Sequence, residues 1–140
     1  MEILSLKRTE HTPGVTLDHN IHLLEFTHES RPENVKAFFP QIYKWIEEYE
    51  NYLYFIANKQ QDKITINCNF KLDYFNSSSA KSFLQILESL HKISVKNKNA
   101  ALLINWYYIP DDEDMLHTGE EMKKLTGCEF KFFEFEGNTY

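Results

Sequence analysis

Glycine and proline are scarce in this chain, four of each in 140 residues, which excludes a collagen-like polymer, a low-complexity tract and any long flexible linker. Cysteine is scarcer still. Cys68 and Cys128 stand far apart with no CxxC spacing, which argues against a disulfide framework and against a zinc-ligand set. Cys68 alternates with apolar neighbours and reads as a buried small hydrophobe. No stretch approaches the roughly 18 apolar residues of a membrane span, and the opening MEILSLKRTE lacks a basic start followed by a long apolar run. The expected setting is therefore the reducing cytoplasm, with no membrane partner. Positive charge is also in deficit, 15 Lys and Arg against 21 Asp and Glu for a formal net charge of −6. Phosphate-backbone binding depends on a basic surplus that releases counterions, so nucleic acid is not an expected partner. The one basic run, Lys92 through Lys98, falls where a helix should end and where cations complement the helix dipole.

What the chain does have is apolar material. Hydrophobic residues make up 42% and aromatics 15% of the sequence, enough for a core at a length that fits one domain. No repeat or linker divides residues 1–140, so they are read as a single domain. Val15 to Asp18 and Ile21 to Thr27 predict a hairpin turning at His19-Asn20. Ser30-Arg31-Pro32-Glu33 then reads as a helix start with Ser30 as cap, and Val35, Phe38, Phe39, Ile42, Ile46 and Tyr49 follow at helical spacing. Trp45 lies off that stripe and is a candidate exposed aromatic.

From Lys63 to Leu72 the period changes to two. Ile64, Ile66, Cys68, Phe70 and Leu72 face one way and Thr65, Asn67, Asn69 and Lys71 the other, so one face of the sheet should be wet. A second helix spans about Ser78 to Lys96, with Ala80, Phe83, Leu84, Leu87 and Leu90 on one side. Ala100 to Tyr107 predicts a strand whose non-alternating run Ala101-Leu102-Leu103-Ile104 suggests an interior position. A third helix covers about Asp112 to Leu125, with acids at its start and Gly127 as its stop. Phe130 to Glu136 closes as a strand. Alternating strands and helices require right-handed crossovers, so the expectation is an α/β two-layer sandwich: a mostly parallel mixed sheet of about five strands with three helices on one face. That architecture resembles the STAS domains of bacterial anti-sigma-factor antagonists.

Tyr74-Phe75-Asn76-Ser77-Ser78-Ser79-Ala80-Lys81 joins the half-wet strand to the second helix. One serine is enough to cap a helix. An adjacent hydroxyl is a candidate phosphoacceptor, because orphan N–H groups and the dipole both favour phosphate at a helix N-terminus. In a parallel sheet the turn after Leu72 and the turn after Tyr107 leave by the same edge. Trp106, Tyr107, Tyr108 and the acids Asp111 to Asp114 would then flank the serines as partner-binding residues.

The segments ESRPENVKAFFPQIYKWIEEY, KLDYFNSSSAKSFLQILESL and INWYYIPDDEDMLHTGEEM closely resemble the SiaC family of bacterial regulatory phosphoproteins, over nearly the whole chain. The most specific elements are Pro32-Glu33-Asn34, the Tyr-x-Asn-(Ser/Thr)-Ser-Ser motif at Tyr74 to Ser79, and Trp106-x-Tyr108 followed by acids to Asp114. The resemblance implies a non-enzymatic partner-switching protein. A SiaB-type serine/threonine kinase would phosphorylate it, the PPM-type phosphatase SiaA would reverse this, and the unmodified form would activate a GGDEF diguanylate cyclase, SiaD, raising cyclic di-GMP. It places the phosphoacceptor after the motif asparagine, on Ser77, where relatives carry threonine. Ser78 and Ser79 remain alternatives, and Tyr74, Asn76 and Ser78 join the expected contact residues.

Two rival functions fit parts of the sequence. An anti-sigma-factor antagonist would use the same phosphoserine logic on a sigma-factor regulator. A metal-dependent enzyme would use Asp111-Asp112-Glu113-Asp114 with His117, but acids gather at helix N-termini for dipole reasons alone, and successive helical residues point in different directions. The six histidines are scattered without metal-ligand spacing, so no cofactor or metal is expected.

Overall fold

The structure, a computed structural model, describes residues 1–59 and 62–140. Its elements in chain order are β1 (Leu4–Leu6), β2 (Gly14–Asp18), β3 (Leu23–Ser30), α1 (Val35–Phe38), α2 (Pro40–Ala57), β4 (Ile64–Phe75), α3 (Ser77–Lys96), β5 (Ala100–Tyr108), α4 (Glu113–Thr126) and β6 (Glu129–Glu134). The strands form one sheet in the order β1-β2-β3-β4-β5-β6. The β1–β2 and β2–β3 pairs are antiparallel, and β3 to β6 run parallel. Among the described residues six strands replace the expected five or so, because a stretch of three residues carries no readable period. Leu4–Leu6 becomes a strand by pairing with β2, Leu4 opposite Leu17 and Leu6 opposite Val15.

The core lies on one side of the sheet. Val15, Leu17, Leu24, Phe26, Ile66, Cys68, Phe70, Leu72, Leu102, Ile104, Trp106 and Phe130 are all buried, and their spacing of two along each strand puts them on the face the helices cover. Phe83 of α3 stands at the centre, 5.3 to 5.5 Å from the rings of Phe26, Phe39, Phe70 and Phe75. Burial raises the thiol pKa of both cysteines, so each packs as a neutral small hydrophobe.

The opposite face is wet, as the alternation of β4 predicts. The Asn105 side-chain amide donates to Oδ1 of Asn67 at 3.1 Å and of Asn69 at 2.7 Å. Asn69 in turn donates to Glu25 at 3.0 Å, and the Lys71 ammonium lies 3.4 Å from the same carboxylate. This polar ladder ties β3, β4 and β5 together where no helix covers them. The run Ala101–Ile104 does alternate after all: Ala101 is exposed and Leu103 half-buried, because β5 is flanked by β4 and β6 but covered on one face only.

Three expectations about the first helix change. Ser30 does not cap it, since Ser30 ends β3 and is wholly buried. The helix is divided before Pro40, whose missing N–H and fixed φ suit the first position of a new helix better than the interior of an old one. Trp45 is buried rather than exposed: its indole N–H donates to the Glu2 carbonyl at 2.9 Å and its ring stacks on Tyr49 at 4.9 Å. The segment leading into β1 is what covers it. No helix among the described residues is long and apolar enough to cross a membrane.

Candidate functional site

Because β3, β4, β5 and β6 are parallel, their last residues, Ser30, Phe75, Tyr108 and Glu134, share one edge of the sheet. This is the edge where binding sites of open α/β sheets form. The connection from β3 to α1, the β4–α3 turn and the β5–α4 turn all emerge there.

The β4–α3 turn is built around Asn76 and Ser79. Asn76 has extended backbone (φ −85°, ψ 175°), and its side-chain oxygen accepts the Ser79 N–H at 2.9 Å, so asparagine and not serine caps α3. The Asn76 N–H donates to the Ser30 carbonyl at 3.1 Å. The same carbonyl accepts the Ser79 hydroxyl at 2.9 Å, while the two serine hydroxyls lie 2.8 Å apart. Ser79 has no exposed surface. Its hydroxyl therefore joins the end of β3 to the first turn of α3 and is out of reach of an enzyme.

Ser77 and Ser78, the first two residues of α3, are exposed, and neither hydroxyl makes a hydrogen bond among the described residues. Since the first N–H groups of a helix have no intrahelical acceptor, both side chains stand beside unpaired donors at the positive end of the dipole. The first turn of α3 contains no acidic residue.

A β-bulge fixes which way this turn faces. His28 pairs with Leu72 and Glu29 with Tyr74, so Asp73 has no partner on β3. One unpaired residue reverses the alternation beyond it. Tyr74, 51% exposed, turns outward, and Phe75 turns inward against Phe83 and Trp106 at 5.5 and 6.0 Å. Opposite the bulge, His28 adopts a left-handed backbone (φ 71°).

The remaining expected contact residues divide between two faces. Trp106 has no exposed surface and cannot touch a partner directly. Its indole N–H donates to the Met115 carbonyl at 2.9 Å, and its ring lies flat against Gly119, where an added Cβ would fall 2.6 to 2.8 Å from indole atoms. Trp106 therefore seats α4 on the sheet. Tyr107 points to the wet face instead, 5.0 Å over the Lys71 ammonium and stacked on Phe133 at 5.1 Å. Tyr108 packs partly against the core. Asp112 caps α4, its carboxylate accepting the Met115 N–H at 3.0 Å, and Asp111 is exposed beside it. Glu113 and Asp114 follow in the first turn of α4. Among the described residues no group of three or more His, Cys, Asp or Glu is placed to hold a metal ion.

The segment after β6 completes the edge. The Phe135 N–H donates to the Tyr108 carbonyl at 3.0 Å. Asn138 donates its backbone N–H to Asp73 Oδ1 at 3.2 Å and its side-chain amide to the Lys71 carbonyl at 2.8 Å. The Tyr140 hydroxyl donates to Asp73 Oδ2, and burial and then the Asp73 hydrogen bond raise its pKa well above the usual phenol range. These contacts have no signature in the sequence.

A family profile described as SiaC family regulatory phosphoprotein matches residues 6–135. No curated protein matches the sequence. Among solved structures, apo-SiaC from Pseudomonas aeruginosa superposes with a TM-score of 0.76 at 23% identity, covering 95% of this chain and 99% of that one. A chain from the crystal structure of the diguanylate cyclase SiaD in complex with its activator SiaC, from the same organism, gives a TM-score of 0.78 at 22% identity, over 94% and 99% of the two chains. A further structure of SiaC of Pseudomonas aeruginosa gives 0.74 at 23% identity, over 96% and 100%. At these identities the structural likeness establishes the fold.

Proposed function

Since the chain belongs to the SiaC family of regulatory phosphoproteins, we propose that it is a non-catalytic switch whose choice of protein partner depends on phosphorylation of Ser77. The observation that carries this reading is the division of labour in the β4–α3 turn. Asn76 caps the helix and Ser79 is buried, which leaves Ser77 and Ser78 as hydroxyls with no structural task. Ser77 directly follows the motif asparagine. A phosphate there would meet unpaired N–H groups and the positive end of α3, so modification is compatible with the folded helix.

The same phosphate adds about −1.5 to −2 charges to an edge that already carries Asp111, Asp112, Glu113 and Asp114. A partner surface matched to the unmodified edge is repelled. A kinase or another partner with an arginine cluster is drawn to the modified one. The proposed contact surface comprises Tyr74, Asn76, Ser78, Tyr108, Asp111 and Asp112, with Trp106 setting the position of α4 from beneath. The solved complex of SiaD with its activator SiaC supports a GGDEF diguanylate cyclase as a partner, and in this reading it is the unmodified form that engages it. A SiaB-type kinase and a PPM-type phosphatase would set the phosphorylation state.

The test joins a mass measurement to a binding measurement. Incubation with the SiaB-type kinase should add one phosphate, mapped to Ser77, and Ser77→Ala should abolish it. Phosphate on Ser78 alone would move the assignment by one residue. Unmodified protein and Ser77→Ala should retain a diguanylate cyclase and raise its cyclic di-GMP output, whereas Ser77→Asp should do neither. Equal binding by all three forms would end the switch reading.

A further inference from the structure

Both irregular positions next to the β4–α3 turn are held by the same short segment, residues 137–140. On β4, the bulged Asp73 has no ladder partner, and its carboxylate instead takes the Asn138 N–H and the Tyr140 hydroxyl. On β3, the left-handed His28 has its ring held between Thr27 Oγ1 at 2.8 Å and the Thr139 carbonyl at 2.9 Å, edge-on to the Tyr140 ring at 4.9 Å. The Arg8 guanidinium also lies over the Tyr140 ring, 4.7 Å from its centroid. The segment reaches this place through Gly137, whose φ of 97° suits glycine and whose Cβ, if present, would fall 3.2 Å from Asp73 Oδ1 and 3.3 Å from Ile109 Cδ1. The family match covers residues 6–135, so the segment lies beyond it while His28 and Asp73, which it holds, lie within it.

We propose that residues 137–140 act as a latch on the Asp73 bulge, and that Asp73 and Tyr140 are positioning residues for the β4–α3 turn that carries Ser77. The bulge is what sends Tyr74 outward and Phe75 inward. Without it the strand returns to regular alternation. Phe75 then leaves Phe83 and Trp106, and Asn76 shifts along the strand away from the Ser30 carbonyl that accepts its N–H. The capping geometry that exposes Ser77 depends on that register. The link from register to phosphorylation rests on the Ser77 reading above. The link from latch to register does not.

The experiment compares the wild-type chain with Tyr140→Phe, Asp73→Ala and the near-isosteric Asp73→Asn, whose oxygen can still accept the Asn138 N–H and whose amide can donate to the Tyr140 oxygen. Amide hydrogen exchange is followed at Asn76, Ser79 and Ala80, with Met115 at the start of α4 as a control on the same edge. Loss of a latch hydrogen bond should speed exchange at Asn76, Ser79 and Ala80 by about two- to tenfold, the equilibrium factor of one hydrogen bond, and leave Met115 unchanged. Asp73→Asn should restore most of the protection. Phosphorylation of Ser77 by the kinase should slow in Tyr140→Phe and Asp73→Ala and recover in Asp73→Asn. Unchanged exchange at Asn76 to Ala80, or a uniform rise that includes Met115, overturns the latch. Local exchange changes in a protein whose wild type accepts no phosphate on Ser77 uphold the latch and overturn the phosphoserine reading instead.

Discussion

Two helices start side by side on the same sheet edge and treat their N-termini in opposite ways. α4 is capped by Asp112 and followed by Glu113 and Asp114, so permanent carboxylates occupy the positions its dipole favours. α3 is capped by Asn76 and followed by Ser77 and Ser78, equally well formed but with no charge in its first turn. The anchoring differs as well. α3 is held by a broad apolar face, with Phe83, Ile86, Leu87 and Leu90 all wholly buried, whereas α4 approaches the sheet closely through Gly119 and the Trp106 indole. One N-terminus is electrostatically complete. The other is structurally complete and electrostatically open, which is the condition a reversible charge requires.

The contrast can be broken first at the anchors. Phe83→Ala removes the ring on which four other aromatics converge and should cost about 3 to 5 kcal/mol, read as a lowered midpoint in urea unfolding. Gly119→Ala forces a methyl against the buried Trp106 indole and should cost about 1 to 3 kcal/mol, with a shift in tryptophan fluorescence that Phe83→Ala need not show. At the caps the two helices should behave alike: Asn76→Ala and Asp112→Ala should each lose about 1 kcal/mol in the same unfolding assay. The smallest effect sharpens the comparison most. Ser77→Asp should stabilise the protein by about 0.3 to 1 kcal/mol by giving α3 the charge that α4 already has, and the gain should shrink in high salt. Asp114→Asn should lose a comparable amount. A destabilising Ser77→Asp would mean that the first turn of α3 is not electrostatically open.

Periodicity made much of this legible. The change from a spacing of two in β4 to helical spacing in α3, and the acids and Gly127 that bound α4, located those elements to within a few residues. Trp106 was readable too, since Leu102, Ile104 and Trp106 recur at every second position, but treating Ala101–Ile104 as a solid apolar run hid that alternation. Trp45 likewise fits a helical stripe with Ile42, Ile46, Tyr49 and Leu53 once the segment leading into β1 is known to cover it. The serine cluster marks the start of α3, but the residue that caps the helix is the asparagine before it. The bulge at Asp73 was not readable. A bulge is a property of two strands in register, and its stabilising contacts come from residues more than sixty positions away.

Strand order in this sheet follows chain order without exception. Each strand can therefore add to the edge left by the one before it, with a helix closing over the joint from β4 onward, and no gap has to be held open for a later segment to enter. A chain emerging from the ribosome can build such a sheet progressively, burying each new apolar face soon after synthesis and shortening the time that sticky edges are exposed to other chains.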